Sequence, residues 1–335
     1  ALGDDYEVFA RRFGLDQEAN FEERWHLTVR QEVDDDDAET IARAKKTLLE
    51  RRAMRVPPGR DEKQLTSWNA LAIRGLAIAG RSLDRPELVD AAADAVDFLR
   101  TTMFRDGRLL ASHKDGEAKF MAYLDDHAFL LDALLELLQA RWNSEHLVFA
   151  QQVAELTLQR FADPENGGFW FTANDHEQLI HRNKPLADEA VPSGNGIAAI
   201  ALQRLGFLLG ETRYLDAAEG TLRAAWRAMD EYPHGHVSLL AALEEYISHP
   251  EIVVIRGPQD EIDRWRDSAA KVYAPRRLVF AIPADQSGLP GALADRAPME
   301  GQTVAYRCLG THCEMPVTTW EALAAQLASS ESPQG

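Results

Sequence analysis

The chain has 335 residues, 45% of them hydrophobic, with 54 acidic against 36 basic side chains and a net charge of −18. That length can bury a substantial core, in one large domain or two smaller ones. The charge repels phosphate backbones and no local basic patch offsets it, which excludes nucleic acid as a partner, while no stretch reaches the ~20 apolar residues of a membrane span.

In chain order, residues 1–37 form an N-terminal segment closing on the acidic run Asp34 to Asp37, which reads as a solvated linker. A helix from Ala38 to Met54 opens a helical region that runs to residue 250. Within it a unit of helix, helix and short strand repeats, with first-helix starts at Ser67, Asp126 and Ser193, spaced 59 and 67 residues apart. The first helix of each unit is apolar nearly all round, as in Ala70 to Ala79 and Ile197 to Leu209, and must be buried on most of its surface. The second is amphipathic: Leu88, Ala92, Val96 and Leu99 form a stripe from which Asp90, Asp94 and Asp97 are excluded. Inner helices wrapped by outer ones, in sequential short-looped hairpins, predict a mainly α protein, an α/α toroid. Strands over 109–112 and 119–121 flank an Asp115-Gly116 turn, and strands over 169–172 and 178–181 are expected to form a second hairpin.

From residue 251 the pattern changes. Ile252 to Ile255 and Leu278 to Ile282 read as buried strands around a helix over 260–272, followed by a strand over 303–308 and a helix over 320–327. This alternation predicts a small α/β tail domain over 251–335. Only Cys308 and Cys313 occur in the chain, too few for a disulfide-stapled scaffold, so a reducing cytoplasm is the expected location. They read as two structural thiols at a strand end, because no second paired motif completes a zinc site. No metal or cofactor is expected.

Several motifs together carry a resemblance. Arg52, Pro57-Pro58 and Arg60-Asp61-Glu62-Lys63 lead into Thr66-Ser67-Trp68-Asn69; Leu124-Asp125-Asp126, Gly167-Gly168-Phe169, Pro192-Ser193-Gly194-Asn195 and Ala305-Tyr306-Arg307-Cys308 through Cys313 follow. In this order they resemble the thioredoxin-domain protein family related to spermatogenesis-associated protein 20, over almost the whole chain. The resemblance implies a thioredoxin-like domain upstream in cis, with this chain as the C-terminal part. It also implies a toroid similar to the N-acylglucosamine 2-epimerase group and the six-hairpin glycosidases. Fewer hairpins are read here than the six of a closed ring, so an incomplete (α/α)6 toroid with an exposed apolar seam is expected.

Candidate chemistry gathers at the inner-helix starts. Asp125 and Asp126 point about 100° apart, so one caps the helix and the other is free to act as a general acid or base. His113 and His127 are candidate proton carriers beside them, with His176 and His181 at the same end. Trp68 offers a flat face to a sugar ring, and Asn69, Ser193 and Asn195 offer hydrogen bonds. Asp188 or Glu189 supplies a second carboxylate, and Arg182, Lys184 and His181 form a rim able to hold an anionic group. The expected function is sugar binding or processing, with isomerase or epimerase chemistry ahead of glycoside hydrolysis. The competing reading is a non-catalytic, redox-associated scaffold.

Overall fold

A computed structural model describes residues 1–32, 34–177 and 179–329. Contacts divide the chain into two compact units, 1–61 and 62–335. In the first, α1 (Tyr6–Phe13) and α2 (Asp35–Ala53) pack through Phe9, Ile41 and Ala44. The acidic run read as a linker is instead the start of α2, with Asp35, Asp36 and Asp37 in its first turn, where carboxylates oppose the positive end of the helix dipole. The helix expected to begin the toroid therefore packs within this first unit.

The second unit runs β1 (Gln64–Leu65), α3 (Thr66–Ser82), α4 (Pro86–Phe98), β2 (Phe104–Arg105), β3 (Arg108–Lys114), β4 (Glu117–Met121), α5 (Leu124–Ala140), α6 (Ser144–Phe161), α7 (Gly194–Leu209), α8 (Thr212–Glu231) and α9 (Val237–Ile247). Helices α3, α5, α7 and α9 pack side by side as an inner row, while α4, α6 and α8 each cover the inner helix before them. The sequence explains the two layers. In α5 every residue but Asp125 is buried, and in α7 every residue but Ile197. The outer α8 buries only a stripe of Tyr214, Ala218, Thr221, Leu222, Ala225 and Met229 at helical spacing. The row is open. At one end α3 buries Ala70, Ile73, Ala77 and Gly80 yet leaves Trp68 and Leu83 exposed, and at the other α9 exposes Val237 and Ile247. This is the incomplete toroid that the hairpin count implies.

The hairpin of β3 and β4 forms as expected. Lys114 pairs with Glu117, and Asp115 and Gly116 take φ of 52° and 81°, the doubly left-handed turn that an Asp-Gly pair favours. Among the described residues the second expected hairpin does not form. Phe169 makes one isolated bridge to Ala162, Phe171 N bonds Asn183 O at 2.8 Å, and 179–181 is irregular, while Gln178 lies outside the described residues. Side chains and single backbone bonds, rather than a strand ladder, hold that segment.

The tail comprises β5 (Glu251–Gly257), α10 (Gln259–Ala270), β6 (Arg277–Pro283), β7 (Val304–Leu309), β8 (His312–Cys313) and α11 (Trp320–Ser329). Its sheet order is β6-β5-β7-β8, with β5 parallel to β6 across α10 and antiparallel to β7. Alternation splits the strands between two cores. Ile252, Val254, Leu278, Phe280 and Ile282 join the core of the inner helices; Val253, Ile255, Val279 and Ala281 pack with Ile262, Trp265, Leu323 and Leu327 of α10 and α11. The end of the inner row opposite the helix starts is thus closed by the sheet, where Val279 N donates to Gln139 Oε1 at 3.3 Å. Among the described residues, no helix is long and apolar enough to cross a membrane.

Candidate ligand site in the arc

The inner-helix starts are stapled together by carboxylates. Asp126 Oδ1 accepts from Ser67 N and Oδ2 from Tyr123 N, both at 2.8 Å, which caps α5 and ties it to the first turn of α3. Asp188 repeats the device, accepting from Ser193 N at 2.8 Å and Ser238 N at 2.9 Å, the starts of α7 and α9. Burial opposes its charge, but these bonds and the Ser238 hydroxyl outweigh that and hold its carboxyl below the usual range. For Asp126 the balance runs the other way: burial, against the Tyr123 and Ser67 bonds, raises its pKa to about 6. Asp125 is also raised to about 6, by burial and then by Asp126, and its Oδ1 is buried without a hydrogen-bond partner. It lies against the α7 start, where a Cβ on Gly194 would come within 2.2 Å of Oδ1.

Most of the remaining residues singled out in the sequence hold the scaffold. Asn195 is fully buried, accepting from Phe169 N at 2.8 Å and donating to Phe169 O and Pro185 O at 3.0 and 2.9 Å. Ser193 Oγ donates to Pro185 O at 3.3 Å. Lys184 Nζ donates to Asp163 Oδ2 and Gly167 O at 2.7 and 2.6 Å, Arg182 donates to Thr172 O at 2.6 Å, and both cations lie over the Trp170 ring. Buried His127 bonds Tyr123 O through Nδ1 at 2.9 Å and packs on Phe161; burial lowers its pKa to about 4, so it is neutral at pH 7. His113 pairs with Gln64 at 2.9 Å, and Asn69 donates to Leu65 O at 2.8 Å. His181 is exposed, and Trp68, 65% exposed, lines neither cavity described below.

Of the residues singled out in the sequence, Asp188 and Glu189 line the concavity of the arc, whose walls are otherwise built from different residues. One cavity of about 460 Å³ lies toward the helix starts between Leu71, Phe129, Asp188, Val191, Ile197 and Val237. A second of about 460 Å³ continues toward the tail, bounded by Glu136, Arg204, Glu245 and the segment after α10. Both include Arg74, Asp132, Ile197, Ile200 and Ala241. All four inner helices send charge into this lumen. Arg204 Nη2 donates to Glu245 Oε1 at 2.6 Å, Nε to Oε2 at 3.0 Å, and Nη1 to Glu136 Oε1 at 3.2 Å. Arg74 Nε donates to Asp132 Oδ2 at 2.6 Å, and Arg81 to Glu136 Oε2 at 3.2 Å. Burial disfavours the charge on Arg204, but Glu245, Asp132 and Glu136 more than offset it and raise its pKa. One acceptor is left over: Asp132 Oδ1 is buried, makes no hydrogen bond and stands 3.6 Å from Arg204 Nη1. No histidine lines either cavity. Among the described residues no His, Cys, Asp and Glu group is suited to a metal ion.

These lumen residues are not among the sequence candidates, because the inner helices read as apolar nearly all round. A signal was present. Asp132 and Glu136, four apart in a helix otherwise rich in Leu and Ala, share one face, and Gln203-Arg204 interrupts α7 in the same way.

No family model matches the chain. It is similar to spermatogenesis-associated protein 20 of Homo sapiens, 27% identical over 329 residues, which is 93% of this chain and 40% of the human protein. The Rattus norvegicus protein of that name is 27% identical over 288 residues, 81% of this chain and 36% of the relative. The chain thus spans two fifths or less of the length of these curated relatives. Among solved structures it is similar to a GH76 alpha-mannanase of Bacteroides thetaiotaomicron, at a TM-score of 0.45 and 12% identity over 65% of this chain and 58% of the other. It is also similar to cellobiose 2-epimerase from Bacillus thermoamylovorans, at a TM-score of 0.42 and 12% identity over 67% and 70%. Likeness at this level does not bear on chemistry.

Proposed function

We propose that residues 62–335 form a carbohydrate-binding α/α arc, part of a longer protein, whose ligand sits in the lumen of the inner helices. The carrying observation is Asp132, a buried carboxylate with one oxygen that makes no hydrogen bond, 3.6 Å from Arg204 Nη1, at the junction of the two cavities. Desolvating a carboxylate costs several kcal/mol unless its acceptors are filled, and a sugar hydroxyl is a donor of the right size and polarity. The apolar walls at Leu71, Phe129 and Val191 suit the carbon face of such a ligand, and the volume falls within the range of small-molecule sites. With no histidine in the lining, any proton transfer on a bound sugar falls to carboxylates, with Asp132 and Glu189 both at the cavity wall.

The scaffold reading keeps one observation in its favour: three carboxylates, Asp132, Glu136 and Glu245, face three arginines, Arg74, Arg81 and Arg204. Calorimetric titration of the 335-residue chain with a panel of free mono- and disaccharides separates the two. The sugar reading expects at least one saturable ligand and, in Asp132→Asn, affinity at least about tenfold weaker without loss of folding. Absence of any saturable sugar, or equal binding by the variant, overturns it in favour of the scaffold.

A further inference from the structure

The tail sheet ends in a feature that the lumen does not use. Antiparallel β7 and β8 place Cys308 opposite Cys313, and the two form a disulfide, where the sequence reading expected two free thiols. The two sulfurs differ in environment. Cys308 is 1% exposed, whereas Cys313 lies on an exposed two-residue edge strand. Beside Cys308 stands Arg296, itself 6% exposed, which donates through Nη2 to Cys308 Sγ at 3.5 Å and through Nη1 to Leu208 O at 3.0 Å.

Arg296 is electrostatically incomplete. Among the described residues it makes no ion pair with a carboxylate, and burial pulls its pKa below the ordinary arginine value, against the weaker pull of exposed Asp295. Arg256 next to it is similar: it donates to the carbonyls of Arg296, Pro283 and Gln286, and burial lowers its pKa as well. A buried guanidinium normally sits beside an anion, because an uncompensated charge in the interior is costly. The other charged side chain on this stretch of β7, Arg307, is already matched by Glu251 and Glu314. His249 lies against Gly310, and His312 precedes Cys313 in the hairpin. Among the described residues, the ionisable side chain that Arg296 hydrogen-bonds directly is Cys308, through Sγ.

We propose that Cys308–Cys313 is a redox-active couple whose substrate is an external dithiol, with Arg296 positioned as the counter-cation of the Cys308 thiolate. A thiolate of the dithiol attacks exposed Cys313 Sγ, forms a mixed disulfide with it and expels Cys308 as a thiolate. The second sulfur of the dithiol, deprotonated, then attacks the first, closing the reductant's own disulfide and releasing Cys313, which takes up a proton. The dithiol loses two electrons and two protons. The chain gains both electrons and one proton, and the other proton goes to solvent because Cys308 stays ionised. A leaving thiol of lowered pKa departs faster and its reduced form is stabilised, and a neighbouring arginine produces both effects. Arg296 also links the couple to the last turn of α7, through Leu208 O.

The test equilibrates the 335-residue chain with reduced and oxidised dithiothreitol, quenches with acid, and counts reduced cysteines by maleimide mass-tagging. The expected result is one reversible step from no tags to two. Arg296→Met shifts the midpoint by about tenfold in dithiol ratio toward the disulfide, and Arg296→Lys shifts it less. In Cys313→Ser, the thiolate absorbance of Cys308 should titrate below the free-cysteine value of about 8.5, and Arg296→Met should return it to that value or above. The lysine variant and the single-cysteine titration keep the answer open to refutation if the methionine variant folds poorly. A pair that stays oxidised in excess reduced dithiothreitol, or a titration indifferent to residue 296, would overturn the proposal.

Discussion

Asp125 and Asp188 are both carboxylates among the inner-helix starts, yet their surroundings push them in opposite directions. Asp125 and Asp126 are each raised from 3.8 to about 6. Between those values the folded chain holds more protons than the unfolded one, so their contribution to stability is fully present below about pH 4 and is lost as pH rises through about 6. Asp125→Asn removes one penalised charge. It should raise stability at pH 7 by about 2 kcal/mol and flatten the profile between about pH 4 and 6, read from urea midpoints across that range. Asp188 is depressed and caps two helices, so its contribution is present at neutral pH and lost as pH falls below the usual carboxylate range. Asp188→Ala should cost about 2–4 kcal/mol at pH 7, with amide exchange accelerated first at Ser193 and Ser238. An equal effect at acid and neutral pH would show that the cap, rather than its charge, matters.

Helix α7 joins the lumen to the scaffold, and its tolerance of change should differ along its length. Near its start a Cβ on Gly196 would come within 2.1 Å of Ser238 Oγ, so Gly196→Ala forces α9 away and should cost about 1–3 kcal/mol in chemical denaturation. Midway along, Arg204 neutralises Glu245 and Glu136. Arg204→Met leaves buried carboxylates uncompensated and should cost about 3–5 kcal/mol, whereas Arg204→Met with Glu245→Leu should recover a large part of that. A double-mutant cycle with no coupling would mean that water already screens the pair.

Across the second unit, helices and tail share one core, because alternate residues of β5 and β6 face the inner row. Deleting 251–335 should therefore remove the floor of the helical layer rather than trim an appendage. Differential scanning calorimetry is expected to find no cooperative transition in such a truncation, and dye binding should reveal exposed apolar surface. Separate transitions for helices and tail in the intact chain would contradict the shared core. The open edges of the row, with Trp68 and Leu83 at one side and Val237 and Ile247 at the other, are the surfaces where self-association should begin.

The sequence by itself determined the two layers of helices, the Asp115-Gly116 hairpin and the strand–helix–strand order of the tail. Each is set by periodicity or turn chemistry that acts within a few residues. It also marked Asp126, Asp188 and Asn195 as polar groups that do not sit idle. What it could not tell was whether their hydrogen bonds face a ligand or the chain, since Asp188 finds Ser238 fifty positions away and Asn195 finds Phe169 twenty-six away. The tail floor, the Cys308–Cys313 bond and the lumen charges were likewise decided only in three dimensions. Asp132, Arg204 and Glu245 come from three different helices, and nothing local to any one of them specifies the company it keeps.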